Sequence, residues 1–326
     1  MTALLVTVDT ELSAAFQRRG MTLADNIRLS IRAEAGGRET GIGWQMATLE
    51  RHGLKGVFFL DPLPALVHGI DFLRPIVEPI VARGHEVQMH IHTEWLEWAK
   101  ESPVGGRLGR NIGDFTLADQ VVLLSLAKRW LEDAGAPAIR AFRAGNFGAN
   151  DDTLRALAQI GVAWDSSVNP AYLGRDCAIA ADPAQIAPHR LHGVTELPVS
   201  GIADRPGGFR PAQVCAMSAA EMRAGLSHAV TERHPAYVVV THSFEMLSRD
   251  RQRPNGTVMA RFEALCRAAA TLPGVTAAGF ADLNPDPSSE PTHPLTRAAP
   301  DGWRTAMRQA QQAWATWRYE HRLAPV

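Results

Sequence analysis

About seven times along this chain a short apolar run gives way to a stretch with helical spacing. No other feature of the sequence restricts the fold as much. Strands linked by helix-length crossovers can lie parallel, whereas hairpin-linked strands cannot. The runs are ALLVTVD (3–9), LKGVFFLD (54–61), HEVQMH (85–90), AIRAFRAG (138–145), VAWDSS (162–167), VTELPVS (194–200), AYVVVTH (236–242) and GVTAAGF (274–280). They are short and apolar throughout, as parallel strands buried on both faces are. The helical stretches are GWQMATLERHG, DFLRPIVEPIVARG with a kink expected at Pro79, the segments starting at Leu117 and Asn150, and those around Ser218 and Val258. Gly53, Gly84 and Gly161 stand where helices stop, and Ser218 where one starts. The expected architecture is therefore α/β: a parallel sheet or a (β/α) barrel.

Residues 97–116 and 170–192 read as irregular. Residues 285–299 are rich in Pro and Ser and read as a linker to a terminal helix, 301–322, bearing Trp303, Trp314 and Trp317. Those rings would pack the helix onto the body or onto a second subunit, which leaves a homo-oligomer open. The expected division is thus a main domain, 1–284, and a linker-plus-helix tail, 285–326.

The chain has 326 residues, 46% apolar and 21% charged, enough for a real core. A net charge of −1 weighs against nucleic acid or an anionic membrane as partner. Cys177, Cys215 and Cys266 are far apart and form no disulfide framework. No window of about 18 apolar residues suggests a membrane span. The start, MTALLVTVDTEL, lacks the pattern of a secretory leader. A cytoplasmic protein is expected.

The ends of the runs carry the chemistry. Asp9 and Glu11 follow the first; His90, His92 and Glu94 the third; Arg143, Gly145 and Asn146 the fourth; Asp165, Ser166 and Ser167 the fifth; His242 closes the seventh. In parallel α/β folds these ends lie on one rim, where sites are built. Each residue alone has an ordinary reading. Asp9 could cap a turn, Asp165 start one, Arg143 serve an ion pair, and His242 be a satisfied polar group. His90, His92 and Glu94 differ, because alternate strand positions share a face. Three such groups facing a core are costly unless paired or bound to metal. Imidazole with carboxylate suits Zn²⁺ or a similar divalent ion, and the chemistry is metal-assisted hydrolysis.

TVDTE, GHEVQMHIHTE, FRAGNFG, WDSSVNP and VVVTHSFEM occur in that order over residues 1–283. In this the chain resembles the polysaccharide deacetylase family (NodB-homology, carbohydrate esterase family 4) as a divergent member. The resemblance implies a distorted (β/α)7-type barrel with a C-terminal helix, and a metal-dependent hydrolase of amide bonds. By that resemblance Asp9 is the general base, Glu11 the metal-binding acid and His90 the first imidazole ligand. Arg143 would hold Asp9, and a backbone N–H near Gly145–Asn146 would support the oxyanion. His242 would be the general acid, oriented by Asp165. The family's second metal histidine falls on Glu94 here, so either Glu94 or His92 completes the set. If the strand runs on, His90 and His92 face the site together; if the chain coils, His90 and Glu94 do.

The leading functional reading is N-deacetylation of a sugar or polysaccharide precursor. Alternatives are hydrolysis of a non-sugar cyclic amide or imide on the same fold, and a non-catalytic carbohydrate-binding or assembly protein. Asp9, Arg143 and His242, all present, weigh against the last. An amidohydrolase keyed by the His90–His92 pair is disfavoured, since that group places its pair after the first strand.

Overall fold

A computed structural model of the protein describes residues 1–205, 207–286 and 294–321. Among them the principal strands are β1 (Thr2–Thr10), β2 (Gly56–Leu60), β3 (Glu86–Ile91), β4 (Ala141–Ala144), β5 (Trp164–Asp165), β6 (His189–Leu191), β7 (Val194–Glu196), β8 (Ala236–His242) and β9 (Val275–Ala277). The longer helices are α1 (Ile42–Arg51), α2 (Arg74–Ala82), α3 (Leu117–Asp133), α4 (Asp151–Gln159), α5 (Ala219–Thr231), α6 (Gly256–Thr271) and α7 (Gly302–Ala315). Strand and helix alternate as the sequence predicts, and the fold is α/β. The chain divides into two compact units.

The first unit joins Met1–Gly56, Ser200–Ala277 and the chain from Leu295 on. Here β1 runs parallel to β8 from Ala3 opposite Ala236 to Asp9 opposite His242. Strand β9 pairs with the first residues of β1. Leu4, Val6, Val239, Leu226 and Phe262 share one core, almost wholly buried. Each such side chain stabilises the fold by about 1.5–3 kcal/mol. Helix α5 starts at a reciprocal cap, in which Ser218 Oγ accepts from the Glu221 N–H while the Glu221 carboxylate accepts from the Ser218 N–H.

The tail belongs to this core. Ala298 is buried in it, and its carbonyl accepts from the Ala203 N–H at 3.0 Å. Of the two contacts expected for the tryptophans, the body or a second subunit, the first is not what holds the terminal helix to this core. Trp303, Trp314 and Trp317 are 75%, 51% and 68% exposed, while α7 buries Arg308, whose Nε donates to Glu221 at 3.1 Å. Part of the expected linker, 287–293, and the last residues, 322–326, lie outside the described residues.

In the second unit, Val57–Val199 with Ala278–Pro294, strands β2, β3, β4, β5 and β7 follow one another in parallel. The segment 170–192, expected to be irregular, ends in a strand: β6 runs antiparallel to β7. His192 and Gly193 connect them with φ of 48° and 93°, the doubly left-handed geometry of a tight hairpin. Its sequence, HRL, carries a single apolar residue, so periodicity gives no strand signal. Pro79 lies within α2, whose first turn holds Pro75. Among the described residues no helix is long and apolar enough to cross a membrane.

Candidate functional site

Within the second unit, β3 ends at Ile91, but His92 stays extended (φ −112°, ψ 106°) before a short 3₁₀ turn, Thr93–Trp98. His90 and His92 therefore share a face. Their rings lie 4.9 Å apart, tilted at 73°. Each ring is held through Nδ1. That of His90 meets the Arg143 carbonyl at 2.7 Å, and that of His92 meets Glu94 Oε2 at 3.2 Å. A carbonyl or carboxylate only accepts, so Nδ1 is the donor in each ring and Nε2 is the atom a metal would take. Two imidazoles so oriented, one backed by a carboxylate, fit a divalent metal. Glu94, a candidate ligand by sequence, is occupied with His92.

Arg143 lies opposite His90 in register and is fully buried. Its Nε donates to the Ser166 carbonyl and Nη2 to Ser166 Oγ, both at 3.2 Å, and its guanidinium stacks 4.4 Å from the Phe59 ring centre. Just beyond, Gly145 touches the imidazole of His92. A Cβ there would stand 2.6 Å from the Ile91 carbonyl and 2.8 Å from the His92 ring. Asn146 and Phe147 follow with φ of 56° and 57°. Left-handed backbone is tolerable for Asn and strained for Phe, and such strain gathers at functional turns. Tyr172 packs its ring 5.1 Å from that of Phe147.

Asp165, expected to orient His242, spends its bonds locally. Its carboxylate accepts from the Ser167 hydroxyl at 2.7 Å and the Ser167 N–H at 3.0 Å. Its register partner is Glu196, also wholly buried. Burial raises the pKa of both, and the neighbouring Asp165 charge pushes Glu196 further.

In the first unit, His242 Nε2 lies 3.8 Å from Asp9 Oδ2. On its other side Nδ1 meets Glu245 Oε1 at 3.0 Å, while Glu245 Oε2 accepts from the Thr241 hydroxyl and the His242 N–H. Burial disfavours the imidazolium, but Glu245, with Asp9 and Glu11, outweighs it and raises the His242 pKa to about 9. Arg251 stacks 4.6 Å from the Phe244 ring centre and donates to its carbonyl at 2.7 Å. Burial lowers its pKa to about 10, against the opposing charges of Glu11 and Glu245.

Neither Glu245 nor Arg251 stands out among the strand-end residues of the sequence. The signal for Glu245 is present: it stands three residues after His242, the spacing of a reciprocal cap. Arg251 has no local signal.

No protein-family model and no curated protein matches the chain. Solved structures do. A polysaccharide deacetylase from Mycobacterium smegmatis is 17% identical, with 86% of this chain and 88% of that chain covered and a TM-score of 0.56. A polysaccharide deacetylase from Pseudomonas aeruginosa is 15% identical over 86% and 89%, with a TM-score of 0.50. A 4-alpha-glucanotransferase from Thermococcus litoralis is 8% identical, covering 86% of this chain and 40% of that one, also at 0.50. That last likeness shows that the fold does not fix the reaction. The chain has the polysaccharide deacetylase fold, with the (β/α)7-type barrel plan that its five ordered motifs lead one to expect.

Proposed function

We propose that the protein is a metal-dependent hydrolase of amide C–N bonds that removes an N-acetyl group from a sugar or a polysaccharide precursor. The observation that carries this reading is the pair His90 and His92, each fixed through Nδ1 so that its Nε2 lone pair is the ligand atom. Glu11, the acid of the first motif, is the carboxylate we assign to the same ion. Two neutral imidazoles and one carboxylate suit Zn²⁺. When bound, such an ion supplies a Lewis acid for the substrate carbonyl and a lowered pKa for the attacking water.

The chain's own groups do the rest. Asp9 takes the proton from the attacking water. His242, charged at neutral pH and held by Glu245, gives a proton to the departing amine nitrogen. Arg143, fixed by Ser166 and Phe59, keeps a positive field at the strand ends. A backbone N–H of the left-handed turn at Gly145–Asn146 supports the developing oxyanion. The exposed part of Tyr172 offers a ring face for a sugar.

The test is metal content by plasma mass spectrometry of protein purified without a histidine tag, wild type beside His90→Ala and Asp9→Asn, followed by acetate release from N-acetylated sugars. One divalent ion per chain, lost in His90→Ala and kept in inactive Asp9→Asn, is the expected result. A wild type that takes up no zinc, cobalt or nickel, or an Asp9→Asn variant that still turns over, overturns the reading.

A further inference from the structure

Helix α7 carries its large apolar side chains on the outside. Trp303, Met307, Ala310, Trp314 and Trp317 follow one another at steps of 4, 3, 4 and 3 residues. That is the spacing of a seam between two paired helices. The buried side of the helix is a different one. Arg308 and Ala315, seven residues apart, are its buried residues, and Arg308 anchors the helix through Glu221. The first unit thus uses one side of α7 and leaves the seam in water.

The area left open is large. At about 250 Å² for a whole indole side chain, the exposed parts of Trp303, Trp314 and Trp317 amount to roughly 500 Å². Pairing two copies removes about 1,000 Å², the size at which a specific interface becomes stable.

Projecting rings and a space for one lie on the same surface. A cavity of about 570 Å³ is lined by Ala219 at the start of α5, Gly256 and Ala260 of α6, and Ala310 and Trp314 of α7. Its small side chains leave room for a ring. Trp314 itself is not loose. Its ring meets that of Tyr319 edge-on at 5.6 Å, and the Tyr319 carbonyl accepts from the Arg249 N–H at 2.8 Å. An exposed indole already fixed in the single chain is a pre-organised anchor. A patch that holds both the anchor and its receptacle is self-complementary, as a two-fold interface must be.

We propose that the protein is a homodimer in which two α7 helices pair antiparallel about a two-fold axis, each setting Trp314 over the partner's Ala310 at the mouth of that cavity. Side-chain size chooses the direction. Antiparallel, the steps place Trp314 against the partner's Ala310 and Trp317 against the partner's Met307, large against small. Parallel, Trp would meet Trp and Ala would meet Ala, overfilling some layers and leaving a void in another. The dimer does not depend on the hydrolase reading.

The experiment is sedimentation equilibrium of the full chain over a wide range of concentration, wild type beside Trp317→Glu and Ala310→Glu. Wild type reaches twice the chain mass. Each variant weakens dimerisation by roughly 100-fold or more, because the two-fold axis makes every substitution count twice, while far-ultraviolet circular dichroism stays that of wild type. Gln309→Glu, exposed on α7 but off the seam, pairs as wild type does. Gln311→Cys, beside the axis, joins to its own counterpart as an inter-chain disulfide on oxidation with copper phenanthroline, and wild type does not. A wild type that is monomeric at every concentration, or seam variants that pair as well as wild type, overturns the dimer. If that monomer instead floats with phosphatidylcholine vesicles, the tryptophans serve a lipid surface and the dimer is equally overturned. A dimer in which Gln311→Cys does not cross-link overturns the antiparallel direction.

Discussion

A histidine held at a pKa of about 9 donates protons throughout the neutral range, and His242 owes that to Glu245 more than to Asp9. The rate of the proposed hydrolysis should therefore fall as pH rises through about 9. His242→Ala should cost roughly 10²–10⁴ in rate. Glu245→Gln should move the alkaline limb to lower pH, since the charge that raises the pKa is gone; a pH–rate profile of both variants checks this. The linkage has a definite sign. The folded pKa lies above the unfolded value of 6.5, so the stabilisation from this charge is complete below pH 6.5 and is lost as pH rises through about 9. His92 and Glu94 are separable in the same way. Because Glu94 contacts Nδ1 of His92, His92→Ala should abolish metal retention, and Glu94→Ala should weaken it by about 10–100-fold. Equal loss in the two would put Glu94 on the metal. The sequence marks both residues, but choosing between them takes the backbone angles of residue 92.

At the level of elements, the turn after β4 is shaped by a close backbone approach. The Gly145–Phe147 turn brings its backbone against His92, leaving no room for a Cβ at residue 145. Gly145→Ala should displace the His92 ring and reduce metal affinity, while far-ultraviolet circular dichroism stays that of wild type. An unchanged affinity would mean that the ring has slack the geometry does not suggest. Where an element is apolar throughout or begins at a cap, the sequence shows it plainly: β8 and the start of α5 stand where the pattern puts them. The hairpin strand β6 escapes notice because its pairing depends on a two-residue turn and a partner strand, not on its own apolar content.

For the whole molecule, chain order and compactness do not coincide. The first unit is assembled from three separated stretches, the last starting at Leu295. Ala298 sits in its core, His228 Nε2 lies 3.0 Å from the Thr296 carbonyl, and Arg308 neutralises the buried Glu221. Truncation after residue 294 should therefore lower the thermal midpoint, by more than about 5 °C if only a few kcal/mol are lost. A truncated protein with the wild-type midpoint would make the tail an independent appendage, the division that the Pro/Ser composition suggests. The alternation of strands and helices, and the positions of Asp9, His90, Arg143 and His242 at strand ends, are legible in the sequence, because hydrophobic period and strand-end position are local properties. Only the tertiary structure decides which imidazole atom donates, which carboxylate charges His242 and which carbonyl an arginine meets. The partners of His90 and Arg261, for example, lie 53 and 46 residues away. Protonation and hydrogen bonding are set by what folding brings within 3 Å, and no local pattern encodes that.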